Sequence, residues 1–499
     1  MTNRVLYSVV AACVIFSLWF FAEGVGNLTL DLFAFRQSQT AISAYWIAQG
    51  GPLLGYETPV LGAPWAIPFE FPLYQYVVAL LSKTGVTINV AGRFVSFALF
   101  LLTIWPVSVI FRRLGYQNSA TLVFVAIFIT SPMYVFWSRS VMIETTAVFL
   151  STTWLALLIS YQQERTIFLL VSCVISGTLA MLTKITTFPP FALLGAAIYS
   201  GALYADWRDR RAVSLPLMMA TAATVLIPIV VSLYWLSYSD GIKSLNAVGA
   251  QLTSSALKQW NFGTIEQKFG AELWYSILRD RILPEITGYS NLLCIAVIGA
   301  GLALGARSLH IILCIIAFAC AFMLFTNLHI VHNYYQTANA IFLIAALAIS
   351  VDGILVKFKP ILSIIILLCI LAGQVVYVNS IYLPMVQNDT VTSRIYTASI
   401  AAKNATTTDQ SILVFGTDWS SVVPYYAERR GFAVPNWAAE DLLADILADP
   451  QRFLGEHPLG AIVDCFADKD TRPSATLVKN WLTSKETIFE GSGCRVLRP

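Results

Sequence analysis

Eleven apolar runs, joined mostly by short links, divide this chain and decide what it can fold into. A membrane helix needs roughly 17–25 mostly apolar residues. Runs at 5–22, 91–111, 119–137, 143–160, 166–183, 187–204, 213–235, 289–306, 309–328, 336–356 and 361–381 meet or approach that length. Composition agrees. Charged residues make up 12% of the chain, about half of the share usual in soluble domains. The expected fold class is an α-helical polytopic membrane protein with about 11 transmembrane helices. The first run is long and no clear small-residue cleavage site follows it, so it reads as a retained anchor rather than a signal peptide. A formal net charge of +3 is too small to point to nucleic acid.

Lys and Arg near the span ends set the orientation. Arg4, Arg112, Arg113, Arg165, the cluster Arg208, Arg210 and Arg211, then Arg307, Lys357 and Lys359 all fall on one side if there are eleven crossings. That side is predicted to be cytoplasmic, with the N-terminus. The other side receives the outer loops 23–90 and 236–288 and the tail from 382.

The tail has a different composition. Ser411–Gly416 reads as a buried strand with a glycine stop, 440–447 as an amphipathic helix, and 459–463 as another strand. The expected division is a membrane domain over 1–381 and a small extracytoplasmic α/β domain over 382–499. Of the eight cysteines, six sit in apolar runs, where a thiol behaves as a small hydrophobe. Cys465 and Cys494 lie in the polar tail, where an oxidising compartment permits a bridge. No cysteine spacing suggests a metal site.

The first outer loop has about 68 residues, where a minimal connector needs a handful. Helical spacing over 41–48 and a short apolar stretch over 72–82 predict two interfacial helices, with a Gly/Pro-rich turn between them. Asp31 and Glu70 stand near the two ends. On physics alone Asp31 reads equally as a mere cap of the following helix, and Glu70 as a mark of the interface. Further polar residues fall on the same side: Arg93, the link Ser138-Arg139-Ser140 to Glu144, Lys184, and His332-Asn333-Tyr334-Tyr335. Singly, Arg93 and Lys184 read as snorkelling groups. Together, cations beside aromatics on the side that should be poor in Lys and Arg point to an anionic partner such as a lipid-linked phosphate.

These residues, in their order, resemble the type-C glycosyltransferases. The nearest branch holds bacterial relatives of the protein O-mannosyltransferases and of the lipid A aminoarabinose transferase. The segments that carry the likeness are Asp31, Arg36-Gln37, Thr40, Phe69–Leu73, Ala91–Ser96, Ser138–Glu144, Leu182–Lys184 and His332–Tyr335. They cover roughly residues 1–350, and the tail carries no match. The resemblance implies transfer of a sugar from a polyprenyl-phosphate donor to an envelope lipid, glycan or protein acceptor. The reaction would run at the outer face of a bacterial inner membrane. It implies Asp31 as an inverting general base. Arg36, Arg93, Arg139, Lys184, His332 and Tyr335 would hold the donor phosphate; Gln37, Glu70, Glu144 and Tyr334 would orient cations or sugar. The chain departs from the branch at Leu32 and Gln39, where relatives often carry acidic residues, and at Phe71, where the aminoarabinose transferases carry a lysine. No cofactor is expected; a divalent metal is the less favoured alternative. The rival function is a lipid or sugar transporter or flippase, although neither inverted repeats nor mid-span polar groups stand out. A third reading is a non-catalytic scaffold with a soluble sensing domain.

Overall fold

The computed structural model of the chain describes residues 2–211, 214–305, 307–466, 472–491 and 493–499. Positions 213 and 306, at the ends of two expected spans, lie outside the described residues, as does the side chain of Arg210. The chain divides into two units. The first is Met1–Val25, Arg93–Trp235 and Leu257–Gln387; the second is Gly26–Gly92, Leu236–Ala256 and Asn388–Pro499.

The first unit is helical. Among the described residues, six helical stretches are long and apolar enough to cross a membrane: Asn3–Gly24, Ile88–Arg113, Leu215–Lys243, Glu272–Ala303, Asn333–Lys357 and Pro360–Gln387. The other five expected spans coincide with helices Asn118–Thr130, Glu144–Glu164, Ile167–Thr183, Pro189–Arg210 and Ser308–Leu324, which are shorter or more polar. The polar content of Glu144–Glu164 has a physical reason: Thr145, Thr146, Ser151 and Thr152 are buried against protein, so that helix need not match lipid along its length. The expected continuous run at 119–137 is broken. Pro132 has no N–H to continue the ladder, Ser131 turns out of helical geometry, and a short helix Pro132–Trp137 starts again. The Ser131 hydroxyl donates to Ile286 O at 2.8 Å. The central helix is Asn333–Lys357, 78% buried against 22–44% for the other five long stretches.

Several basic links of this unit tie helix ends together, two of them by capping carbonyls. Arg307 donates to Leu114 O and Gly115 O at 2.8 and 2.9 Å. Lys357 donates to Leu304 O at 2.5 Å, and Arg113 pairs with Glu164. A cation at a helix C-terminus offsets the negative end of the helix dipole.

The second unit is built on a five-stranded sheet of order β2-β1-β3-β5-β4: β1 Ser411–Phe415, β2 Arg430–Ala433, β3 Leu459–Asp464, β4 Thr487–Gly491 and β5 Cys494–Leu497. The first three strands are parallel, and β5 joins β3 and β4 antiparallel. All five side chains of β1 are buried, as expected of a central strand covered on both faces. Gly416 follows with φ 79°, a conformation that suits glycine. Helix Arg394–Ala405 packs on the sheet, and Cys465 and Cys494 form a disulfide within this core.

The long first loop belongs to the same unit. Gly431 N and Ala433 N, on the outer edge of β2, donate to Pro59 O and Val60 O at 3.0 and 2.9 Å. This covers an otherwise open sheet edge. Arg430 grips Glu57 through two bonds of 2.9 and 3.1 Å, and Asn246 Nδ2 donates to Leu61 O and Gly62 O at 3.2 and 3.0 Å. By contacts the loop groups with the tail, a partition that a cut at residue 382 does not anticipate. The loop helices are Ala34–Ala48 and Leu73–Ser82. Leu73–Ser82 leaves Tyr76, Val77 and Leu80 exposed, as an interfacial helix would. Ala34–Ala48 differs from that expectation: even its polar residues Gln37, Ser38, Gln39, Thr40 and Ser43 are buried, because it packs against Leu73–Ser82 and the tail helix Val422–Ala427.

Candidate functional site

The residues singled out from the sequence fall into two groups, one in each unit. In the second unit, Asp31 precedes helix Ala34–Ala48 but does not cap it. The capping position is Phe33, with φ 50° and no side-chain cap bond. Asp31 Oδ1 instead accepts from Leu32 N at 3.0 Å and from Gln37 Nε2 at 2.7 Å. Gln37 also donates to Leu32 O at 2.7 Å, so its amide fixes both the carboxylate and the turn that carries it. A carboxylate accepting amide hydrogen bonds is held in one rotamer. From the other end of the segment, Thr29 N donates to the Tyr426 hydroxyl at 2.7 Å.

Arg36 and Glu70 form an ion pair, and Arg36 also donates to Gln39. The substitution of Gln39 for an acidic residue therefore leaves a neutral acceptor beside the guanidinium. Tyr56 is a residue the sequence reading missed. Buried at 1% exposure, its hydroxyl accepts from Phe69 N at 2.8 Å and donates to Glu70 O at 2.9 Å, which sets the backbone that presents Glu70. Burial pushes the Tyr56 phenol far above its usual range, so it stays protonated and able to donate. Lys243 was also missed: its Nζ bonds Asp240 at 2.7 Å and Leu252 O at 2.9 Å, and lies 5.6 Å from the Phe69 ring centre.

In the first unit, Lys184 Nζ lies 2.6 Å from Glu144 Oε1. It also stands 3.9 Å from the Tyr335 ring centre and 5.3 Å from that of Tyr334. His332 stacks on both tyrosines, with centroids 5.2 and 5.9 Å away. Three segments distant in sequence, at 144, 184 and 332–335, thus meet at one ammonium group. The structure gives Arg93 and Arg139 a different setting. Both are fully buried, and Arg93 Nη1 donates to Arg139 O at 2.7 Å. Ser96 donates to Ser140 O and Met142 O at 2.7 and 3.1 Å. Together Arg93 and Ser96 brace the irregular link 138–143, whose backbone carbonyls would otherwise lack donors. The Arg139 guanidinium lies 5.2 Å from the Phe136 ring centre.

Arg281, in the second outer loop, was not singled out, although a cation there carries the same signal as the others. It donates to Ile330 O at 2.8 Å and to His329 O. Beside it, Asn333 donates to Glu285 at 3.0 Å. Trp260, Trp274 and Tyr275 of that loop are 39–57% exposed. Among the described residues, no three His, Cys, Asp or Glu side chains gather as a metal-binding group.

The fold and these groups define a polytopic helical membrane protein with an α/β domain and a polar cluster at the ends of its spans. No family profile and no curated protein matches the chain. Solved structures do. A crystal structure of ArnT from Cupriavidus metallidurans with undecaprenyl phosphate bound superposes with TM-score 0.62 at 14% identity, over 100% of this chain and 98% of that one. The apo form of ArnT gives 0.62 at 13% identity over the same shares. An oligosaccharyltransferase from Archaeoglobus fulgidus, in complex with zinc and sulfate, gives 0.52 at 10% identity, over 91% of this chain and 67% of that one. The chain therefore shares the fold of these structures.

Proposed function

We propose that the protein is a membrane glycosyltransferase. It would move a sugar from a polyprenyl-phosphate donor to an acceptor hydroxyl or amine on an envelope lipid, glycan or protein. The acceptor attacks the anomeric carbon, the carbon–oxygen bond to phosphate breaks, and the lipid phosphate leaves with the bonding electrons. Asp31 takes the acceptor's proton, and attack opposite the leaving group gives inversion. The observation that carries the reading is the carboxylate of Asp31, whose Oδ1 accepts from Gln37 Nε2 at 2.7 Å: a carboxylate held in one orientation by an amide suits a base. Support for the donor class comes from the fold shared with ArnT, whose structure holds undecaprenyl phosphate.

The leaving phosphate needs positive charge and hydrogen-bond donors. Lys184, beside the rings of Tyr334 and Tyr335, on which His332 stacks, is the cation we assign to it, with Glu144 orienting Lys184. Arg93 and Arg139 support the phosphate-binding segment through the 138–143 link. Arg36, oriented by Glu70, faces the donor or acceptor head. We assign the reaction to the extracytoplasmic side, with the N-terminus cytoplasmic and the tail periplasmic. A monophosphate donor carries less charge than a diphosphate, and we propose metal-independent transfer, for which retained turnover in EDTA is the check.

The test is purified protein in lipid nanodiscs with a radiolabelled polyprenyl-phosphate hexose or pentose. Transfer of label with release of polyprenyl phosphate supports the reading. Movement of intact donor across a vesicle membrane, without cleavage, would instead establish the transporter.

A further inference from the structure

The second unit contains a pocket of about 400 Å³ that no role above uses. Its volume falls within the range of small-molecule sites, roughly 300–1,000 Å³. Four of its lining side chains are tyrosines: Tyr45, Tyr396, Tyr425 and Tyr426. Their rings are fixed. Tyr426 lies 5.1 Å from Tyr396 and 4.8 Å from Tyr425, centroid to centroid, and the Tyr425 hydroxyl donates to Asn89 Oδ1 at 2.6 Å. The charged residues in the lining are Lys403 and Glu428, which pair with each other at 2.5 Å. The exposed amide of Gln49 stands at the rim.

That chemistry selects a ligand class. The paired charges cancel, so the lining offers a phosphate or carboxylate no net attraction. Aromatic faces suit the C–H faces of a ring, while an amide, a carboxylate and an ammonium group bond hydroxyls. We propose that this pocket binds a neutral saccharide. Tyr426 ties the pocket to the candidate base, because the hydroxyl that accepts from Thr29 N at 2.7 Å also meets Thr29 Oγ1 at 2.9 Å. Thr29 lies two residues before Asp31. The pocket thus holds a glycan acceptor at a distance from its reacting end and keeps the Asp31 segment in register. The saccharide site stands on the pocket alone; its link to turnover rests on the transferase reading.

The experiment is saturation-transfer NMR on the full chain in nanodiscs, with maltohexaose, an N-acetylglucosamine tetramer and glycerophosphate as probes. Contact with at least one oligosaccharide and none with glycerophosphate is expected. Tyr396→Ala, at a half-buried surface position, should weaken saccharide binding about tenfold, the upper range for one aromatic contact. Absence of saccharide contact, equal binding by Tyr396→Ala, or preference for glycerophosphate overturns the proposal. Tyr426→Phe keeps the ring and loses the bond to Thr29. It should bind saccharide as wild type does, but turn over donor more slowly at unchanged donor KM. Unchanged turnover overturns the link to Asp31. A wild-type protein that binds saccharide yet transfers no sugar from any polyprenyl-phosphate donor refutes the transferase reading instead.

Discussion

Lys184 Nζ and Glu144 Oε1 stand 2.6 Å apart with both side chains almost wholly withdrawn from solvent, at 6% and 1% exposure. Removing one partner of a buried pair leaves the other charge uncompensated, at a cost of about 3–5 kcal/mol. Glu144→Gln should therefore lower the midpoint of thermal unfolding in detergent. The double variant Glu144→Gln/Lys184→Met should recover much of that loss, but none of the activity. A single variant as stable as wild type would show that the pair does not hold these segments together.

Gln37 is predicted to act through Asp31. Gln37→Ala removes the 2.7 Å bond to Oδ1 and the bond to Leu32 O. A misplaced catalytic group costs on the order of 10²-fold in rate, so kcat should fall by about that factor while donor KM stays near wild type. Steady-state kinetics separates the two constants, and a change confined to KM would contradict a positioning role.

His329 should make stability depend on pH. Burial, reinforced by the charges of Lys184 and Arg281 and opposed by a bond to Gln336, holds its pKa down to about 3, from 6.5. Between those values the unfolded chain binds a proton that the folded chain refuses. Stability is thus complete above pH 6.5 and is lost as pH falls toward 3. Thermal unfolding from pH 7 to pH 4 should show this decline, and His329→Gln should flatten it. Parallel curves for the two proteins would remove His329 as the cause.

The disulfide between Cys465 and Cys494 spans 29 residues of sequence. A cross-link closing a loop of that size stabilises by roughly 3–4 kcal/mol in the chain-entropy account. Cys465→Ser should lower the unfolding midpoint of the tail, as should reduction of the wild type. Mass spectrometry of the protein from its membrane should find the two thiols oxidised, in keeping with an extracytoplasmic tail; free thiols would argue against that placement.

Much of the fold was legible because lipid imposes a simple code. Every expected span falls on helix, the run 119–137 in two pieces, since a run such as 361–381 has few other ways to satisfy its backbone. The β1 strand was legible for a similar reason: Ile412-Leu413-Val414-Phe415 is apolar, β-prone and stopped by Gly416. The break at Pro132 was not read, although proline after an extended residue signals it. What periodicity could not reveal were relations between distant segments. Pro59 and Val60 pairing with β2, Thr29 bonding Tyr426, and Tyr56 fixing Glu70 depend on tertiary partners that no local pattern encodes. The same holds at the site. Asp31, Lys184 and Tyr335 were found as polar residues out of place beside apolar runs. Lys243 and Tyr56, which look like ordinary loop residues, were not. The burial of Arg93 and Arg139 around the 138–143 link was equally invisible, because a buried brace and an exposed anion binder look alike in sequence.

The central claim is that Asp31 is the base of a sugar transfer. Its direct test is the turnover of Asp31→Asn, purified in nanodiscs, with a polyprenyl-phosphate-linked sugar and excess acceptor. Asparagine preserves size and can still accept from Gln37, but it cannot take a proton, so turnover should fall by about 10²-fold or more with donor binding retained. Turnover near that of wild type would contradict the account.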